Sequence, residues 1–133
     1  MKDMQTGNKA DETGWGVYEE CRNQGAMITT GHEHAYARSY LFSDIEKKKL
    51  VSKSDEMVIE KGKTIVALSG LGGISSRPLV HDGYWWASKE NLDTGVNAGV
   101  LFCSYNLSTN LATCYFMDED SYTKDIFYLK NNL

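Results

Sequence analysis

The residues best suited to chemistry are two histidines one residue apart, His32 and His34, within the segment TGHEHAYAR at positions 30–38. In an extended chain the side chains of residues i and i+2 share a face, so both imidazoles can point to one place. Two metal ions about 4 Å apart form a common hydrolytic centre, and neighbouring imidazoles can each bind one of them. Gly31 would let the backbone approach such a centre closely because it has no side chain. The competing interpretation is a pair of exposed or hydrogen-bonded histidines without a metal.

Three other groups have a chemical interpretation and a simpler structural one. The segment Gly70-Leu71-Gly72-Gly73 follows a predicted strand but lacks the Gly-Lys-Ser/Thr ending of a phosphate-binding loop, which favours a tight turn. His81 lies in a polar segment, which favours an exposed histidine. The pair Trp85-Trp86 can stack on a ligand, but large aromatic side chains favour a role in anchoring their loop to the sheet.

The cysteines allow one disulfide. Cys103 and Cys114 flank the turn-forming segment 106–110 on two predicted strands. If the hairpin closes between residues 108 and 109, antiparallel pairing places the two cysteines opposite each other, within reach of a bridge. We nevertheless favour two buried thiols, because free cysteine is among the most buried residue types. The same turn contains the N-glycosylation sequon Asn106-Leu107-Ser108, which has meaning only in a secreted protein and hints at a secreted parent.

A helix and a strand are predicted to deliver the histidine segment. Residues 14–23 place apolar side chains on one side of a helix, with Asp11 or Thr13 as its cap and Gly25 at its end. Residues 26–30 are short, apolar and rich in β-formers, which predicts a buried strand that leads directly to the histidines.

The rest of the sequence predicts a succession of strands with one long irregular segment. Further strands are predicted at 36–45, 63–69, 96–105, 111–117 and 122–129. Residues 74–93 show no regular pattern, which predicts a long loop with room for one helical turn. The layout is one helix followed by a mainly antiparallel sheet.

Composition excludes several classes of protein. The 133 residues are 41% hydrophobic and 24% charged, as in an ordinary soluble domain. A net charge of −4 disfavours nucleic acid and anionic membranes as partners, and Lys47-Lys48-Lys49 is interpreted as a solvated loop or strand end. No apolar run approaches the roughly 20 residues of a membrane helix. The first 15 residues are polar and do not resemble a secretory signal, which leaves the localisation open, since a longer parent could carry one.

Residues 31–38 resemble the last conserved block of the calcineurin-like metallophosphoesterases, which reads Gly-His-x-His, and the continuation Ala35-Tyr36-x-Arg38 resembles the purple acid phosphatase branch. The resemblance extends to the helix at 14–25 before the block and to the glycine segment 69–73 after it. It implies an α+β fold, the C-terminal part of an α/β/β/α sandwich, with a mainly antiparallel sheet and one N-terminal helix. On this interpretation residues 1–133 form a single, incomplete domain.

The resemblance also implies a function and a set of site residues. His32 and His34 would each bind one of two zinc, iron or manganese ions in a phosphoester hydrolase. Gly31, Tyr36 and Arg38 would lie behind these ligands or at the rim of the phosphate site, although a structural salt bridge is an equal alternative for Arg38. The family's earlier blocks, an Asp-x-His, a Gly-Asp-x-x-Asp and a Gly-Asn-His, are absent from this sequence. We therefore expect one metal or none on this chain, no assigned catalytic residue, and no substantial phosphatase activity from the chain alone.

Two functions are kept open. The first is a C-terminal portion of a metal-dependent phosphoester hydrolase, whose complete form would act on a phosphoester substrate. The second is a non-catalytic β-rich binding module that holds at most one metal at His32 and His34. Half of a split sheet leaves an exposed edge, so we expect self-association through that edge or pairing with the missing N-terminal half.

Overall fold

The computed structural model describes residues 14–73, 75–78 and 83–132. In these residues one α-helix and one short 3-10 helix accompany ten strands, arranged as two four-stranded sheets and one two-stranded sheet. The α+β class and the single leading helix are therefore confirmed. The predicted caps Asp11 and Thr13, and the predicted exposed His81, lie outside the described residues.

The helices and strands of the described residues occur in the following order along the chain. They are α1 Gly16–Gln24, β1 Ile28–Thr30, β2 Tyr36–Ser39, β3 Leu41–Asp44, β4 Lys49–Ser52, β5 Glu56–Ile59, β6 Val66–Ser69, β7 Trp86–Glu90, a 3-10 helix Leu92–Thr94, β8 Gly99–Asn106, β9 Leu111–Asp118 and β10 Thr123–Asn131. No helix in the described part of the chain is long and apolar enough to cross a membrane.

Helix α1 ends as its sequence predicts. Gly25 adopts a left-handed conformation with φ 69°, and its N–H closes the last turn on the carbonyl of Arg22. Glycine suits this position because it has no Cβ to clash there. Tyr18 faces the core, where Trp15 and Cys21 pack beside it, so the helix covers one side of the first sheet.

The first sheet has the order β1-β6-β2-β7 and carries the segment that holds the histidines. Strand β1 runs parallel to β6, whereas β2 is antiparallel to both β6 and β7. Strand β7 lies inside the segment predicted to be a long loop, so that part of the prediction was wrong. The local sequence is irregular, but Trp86 is buried in the core and pairs with Ser39, and this tertiary contact makes the segment a strand. Trp85 packs against the same core, as expected for a loop anchor.

The second sheet has the order β5-β10-β9-β8. Strands β8 and β9 form the predicted hairpin, and Cys103 lies opposite Cys114 in its register. The two sulfurs are bonded, so the favoured interpretation of two buried thiols was wrong. Cys114 is fully buried but Cys103 lies on an exposed strand, and cross-strand proximity decided the outcome rather than burial.

Strands β3 and β4 form the two-stranded sheet, and β5 follows them as an edge strand of the second sheet. The predicted strand at 36–45 is divided between β2 and β3. Of the three lysines, Lys47 and Lys48 lie in a turn and Lys49 begins β4, as expected for a solvated loop or strand end. Strands β4 and β5 were not predicted, because each is only four residues long and half of their side chains are exposed. Among the described residues three apolar clusters fill the interior, and large side chains such as Phe42, Phe116 and Phe127 are completely buried.

Candidate metal site

Residues 31–35 connect β1 to β2, and we call them the histidine loop. His32 has φ 80°, in the left-handed region that non-glycine residues rarely adopt. The Ala35 N–H donates to the Glu33 carbonyl at 2.9 Å, which makes a tight turn centred on His34. The expectation of extended geometry at the two histidines was therefore wrong, because this turn interrupts the alternation of side chains. Non-glycine residues in the left-handed region, such as His32, concentrate at functional sites, so this conformation motivates a functional hypothesis.

The ring of His34 is oriented by a backbone carbonyl. Its Nδ1 lies 2.8 Å from the carbonyl oxygen of Ser75, and a nitrogen that meets a carbonyl must donate a proton. This hydrogen bond assigns a proton to Nδ1, so that in the neutral imidazole the lone pair is on Nε2. Histidines that bind metals commonly have this arrangement, in which a second hydrogen bond fixes the tautomer and the ring. His34 is half-buried, whereas His32 is exposed.

The glycine segment at residues 70–73 packs against the backbone of the histidine loop. A Cβ added to Gly70 would overlap the carbonyl oxygen of Glu33, so only glycine allows this close approach. The Gly70 N–H also donates to the Ala35 carbonyl at 3.0 Å, and the Arg77 N–H donates to the His34 carbonyl at 3.0 Å. The segment thus has the structural role that we favoured for it. Besides forming a turn, it contacts the backbone on both sides of His34.

Gly31 and Glu33 differ in solvent exposure within the histidine loop. Gly31 is exposed, and a Cβ there would meet no atom of the described residues within 4 Å, so packing among those residues does not explain the glycine. The side chain of Glu33 is buried, with only 6% of the residue exposed. Sequence reasoning missed both Ser75 and Gly70 as supports of His34. Ser75 acts through its backbone, which leaves no trace in the sequence, whereas the strand-ending glycines gave a detectable pattern.

Tyr36 and Arg38 point to the same carboxylate on the second sheet. Arg38 donates from Nε to Asp125 Oδ2 at 2.6 Å and from Nη2 to Oδ1 at 2.8 Å. The Tyr36 hydroxyl donates to Asp125 Oδ2 at 2.6 Å. Arg38 also donates to Asp55 at 2.7 Å and lies over the ring of Phe127. The structural salt bridge considered for Arg38 is therefore present, and it joins β2 to β10.

Burial and charge shift the pKa values of this cluster. Burial, reinforced by the charge of Asp125, raises the pKa of the Tyr36 hydroxyl well above its ordinary value. Burial alone would lower the pKa of Arg38, but its hydrogen bonds and ion pair with Asp125 outweigh that effect and raise it. Both groups consequently keep their protons at neutral pH.

The described residues do not bring together a complete metal site. Within residues 14–73, 75–78 and 83–132, no three His, Cys, Asp or Glu side chains come together as a metal-binding group. The histidine loop offers two imidazoles, of which His34 has the more suitable surroundings. A centre with two metals needs several further ligands.

Comparison with known proteins places the fold. No family model matches the chain, and no curated protein matches it. The structure is similar to that of purple acid phosphatase PPD1 from the seeds of yellow lupin (Lupinus luteus), with a TM-score of 0.70 and 15% sequence identity. The match covers 86% of this chain and 19% of the lupin chain. The chain therefore has the fold of a C-terminal piece of a purple acid phosphatase, with mixed and antiparallel sheets.

Proposed function

We propose that this chain is the C-terminal portion of a metal-dependent phosphoester hydrolase of the calcineurin-like family, to which it contributes His32 and His34 as metal ligands. The observation that carries the proposal is the hydrogen bond from His34 Nδ1 to the Ser75 carbonyl, which prepares Nε2 for a metal. The similarity in fold to a purple acid phosphatase supports the same proposal. The bound ions would be zinc, iron or manganese.

The residues of this chain have positioning roles in the proposed site. When bound, the metals would activate water and neutralise charge on the phosphoester. Gly70 and Ser75 hold the histidine loop, so that the His34 ring keeps one orientation. Tyr36 and Arg38 act behind the ligands by fixing the start of β2 against the second sheet through Asp125. Gly31 leaves space beside His32 that no described residue fills.

Two imidazoles are too few for catalysis, so the chain alone is proposed to be inactive and to bind at most one metal. The remaining metal ligands would come from the portion of the catalytic domain that carries the family's Asp-x-His, Gly-Asp-x-x-Asp and Gly-Asn-His blocks, called here the Asp-rich blocks. The alternative function is a non-catalytic β-rich module with one metal at His32 and His34. It is favoured by the lack of a third ligand among the described residues.

Strand β8 supports a proposal about partners. It forms one edge of the second sheet, runs for eight residues without a charged side chain, and pairs with β9 without a bulge. Natural edge strands usually carry charges, prolines or bulges that prevent pairing with another chain. We propose that β8 pairs with a second copy of the chain, or with the rest of a catalytic domain.

Zinc binding tests the ligand assignment. We expect His32→Ala and His34→Ala each to weaken zinc binding by at least about tenfold in calorimetric titration. His81→Ala, the matched variant of the remaining histidine, should leave the affinity unchanged. Equal affinities for the His32, His34 and unaltered proteins would refute the assignment.

Turnover of a chromogenic phosphate ester tests completeness. The pure chain should show no metal-dependent activity, whereas co-expression with a polypeptide that carries the Asp-rich blocks should restore it. The binding-module alternative predicts no activity in either sample. Metal-dependent turnover by the chain alone would contradict the incomplete site.

A further inference from the structure

The tip of the β8–β9 hairpin presents the triplet Asn106-Leu107-Ser108 at the surface. Asn106 is the last residue of β8 and pairs with Leu111 across the turn. Both Asn106 and Ser108 are exposed, and Leu107 is 81% exposed. A large modifying enzyme can therefore reach the Asn106 side chain without unfolding the sheet.

Hydrogen bonds hold one end of the Asn106 carboxamide and leave the other available. Its Oδ1 accepts from the Ser108 N–H at 2.9 Å and from the Thr109 N–H at 3.3 Å. In the described part of the chain, Nδ2 makes no hydrogen bond. The atom that a glycan would be attached to is thus the unoccupied end of an oriented amide.

A second, independent observation concerns the chemical environment in which the hairpin matures. Cys103 is bonded to Cys114 three residues before the asparagine. Stable disulfides form mainly in secreted proteins and in oxidising compartments, where N-glycosylation also takes place. The bridge and the sequon therefore indicate the same cellular route for the same hairpin.

We propose that Asn106 is an N-glycosylation site and that this protein matures in an oxidising secretory compartment. In the transfer, Nδ2 forms a bond to the anomeric carbon of a lipid-pyrophosphate-linked oligosaccharide. The bond from that carbon to the pyrophosphate oxygen breaks, the lipid pyrophosphate leaves, and Nδ2 loses one proton. No group is oxidised or reduced.

The position of the glycan has a consequence for the sheet. Side chains two residues apart share a face, so Asn106 lies on the same outer face as Phe102, and the register adds Leu111 beside it. A glycan there would cover apolar surface at the end of β8 and weaken, without preventing, the pairing of β8 with another strand. Glycosylated protein should self-associate less than protein without the glycan.

The test uses the full chain, expressed behind a signal sequence in eukaryotic cells. We expect one N-linked glycan by mass spectrometry, seen as a mass decrease after treatment with peptide N-glycosidase. Asn106→Gln and Ser108→Ala should abolish the glycan. Ser108→Thr, which preserves the sequon, and Asn110→Gln, which alters a neighbouring asparagine, should retain it.

Glycan occupancy is measured on secreted protein and on protein retained in the cells, so poor secretion does not obscure the result. The absence of a glycan from both pools of unaltered protein would overturn the proposal, as would a glycan that persists in Asn106→Gln. These readouts do not depend on metal binding or phosphatase activity. Failure of this proposal is therefore distinguishable from failure of the phosphoesterase function.

Discussion

The guanidinium of Arg38 and the carboxylate of Asp125 form a two-point ion pair, 87 residues apart in sequence, that joins the two four-stranded sheets. Both side chains are almost completely buried, at 1% and 7% exposure. Removal of one partner would leave a buried charge without compensation. We expect Arg38→Met to lower the free energy of unfolding by about 3–5 kcal/mol, measured by urea denaturation.

Lys47→Met is the matched control for this prediction. Lys47 forms an ion pair with Asp44 but its side chain is 81% exposed, so its removal should cost less than about 1 kcal/mol. The double variant Arg38→Met with Asp125→Leu should lose less stability than the sum of its single changes, because neither charge remains buried alone. Equal losses for Arg38→Met and Lys47→Met would contradict a role for the pair in joining the sheets.

Gly70 should be much less tolerant of substitution than Gly72. An alanine at Gly70 would overlap the Glu33 carbonyl, whereas one at Gly72 would meet no atom within 4 Å in the part of the chain that the structure describes. We expect Gly70→Ala to destabilise the fold by about 2 kcal/mol or more, as strain on a packed backbone does, and to weaken zinc binding by displacing the histidine loop. Gly72→Ala should change the stability by less than about 1 kcal/mol. Thermal unfolding and zinc titration of both variants measure this difference. Equal stability and equal zinc affinity of the two variants would contradict the prediction.

Stability should decline at alkaline pH partly because of Tyr36. Its pKa is raised in the folded state, so above pH about 10 the unfolded chain releases a proton that the folded protein keeps. The unfolded state then binds fewer protons, and stability decreases as the pH rises. This contribution is complete below pH about 10. We expect Tyr36→Phe to show a shallower decline between pH about 9.5 and 11.5 in urea denaturation.

The matched control for this pH effect is Tyr122→Phe, because Tyr122 is 65% exposed. It should retain the alkaline decline of the unaltered protein. At neutral pH Tyr36→Phe should be the less stable of the two, since it also loses a buried hydrogen bond to Asp125. Identical alkaline slopes for Tyr36→Phe and the unaltered protein would show that Tyr36 does not contribute.

The bridge between Cys103 and Cys114 should stabilise the hairpin. It closes a loop with a sequence separation of 11, and loops of this size are stabilised by about 3 kcal/mol through restriction of the unfolded chain. We expect the double variant Cys103→Ser with Cys114→Ser to be less stable by that amount. Its free energy of unfolding should not change further when a reductant is added. Cys21→Ser, at the free cysteine, should remain sensitive to the reductant in the same unfolding assay.

Self-association should depend on the edge of the second sheet rather than on its face. Phe102 on the edge strand β8 and Ile126 on the inner strand β10 are similarly exposed, at 41% and 45%. We expect Phe102→Lys to reduce dimer formation in light scattering of protein without glycan, because charge on an edge strand prevents pairing. Ile126→Lys should have a smaller effect. A monomeric unaltered protein at high concentration would contradict the proposed pairing.

The sequence by itself determined the elements that depend on short-range chemistry. Helix α1 ends at Gly25 because glycine accepts the left-handed conformation, and the β8–β9 hairpin has its register because polar turn residues separate two β-rich runs. The sequence also nominated His32 and His34 as metal ligands, and both the ligands and the metal stay predictions.

Only the tertiary structure decided the features that join distant parts of the chain. Strand β7 exists because β2 provides its hydrogen-bonding partner, and Asp125 orients Tyr36 and Arg38 from the opposite sheet. The orientation of the His34 ring depends on the Ser75 carbonyl, and Gly70 allows the backbone of the turn at His34 to approach closely. Local periodicity cannot encode such contacts, because their free energy arises only when burial brings together groups that are far apart in sequence.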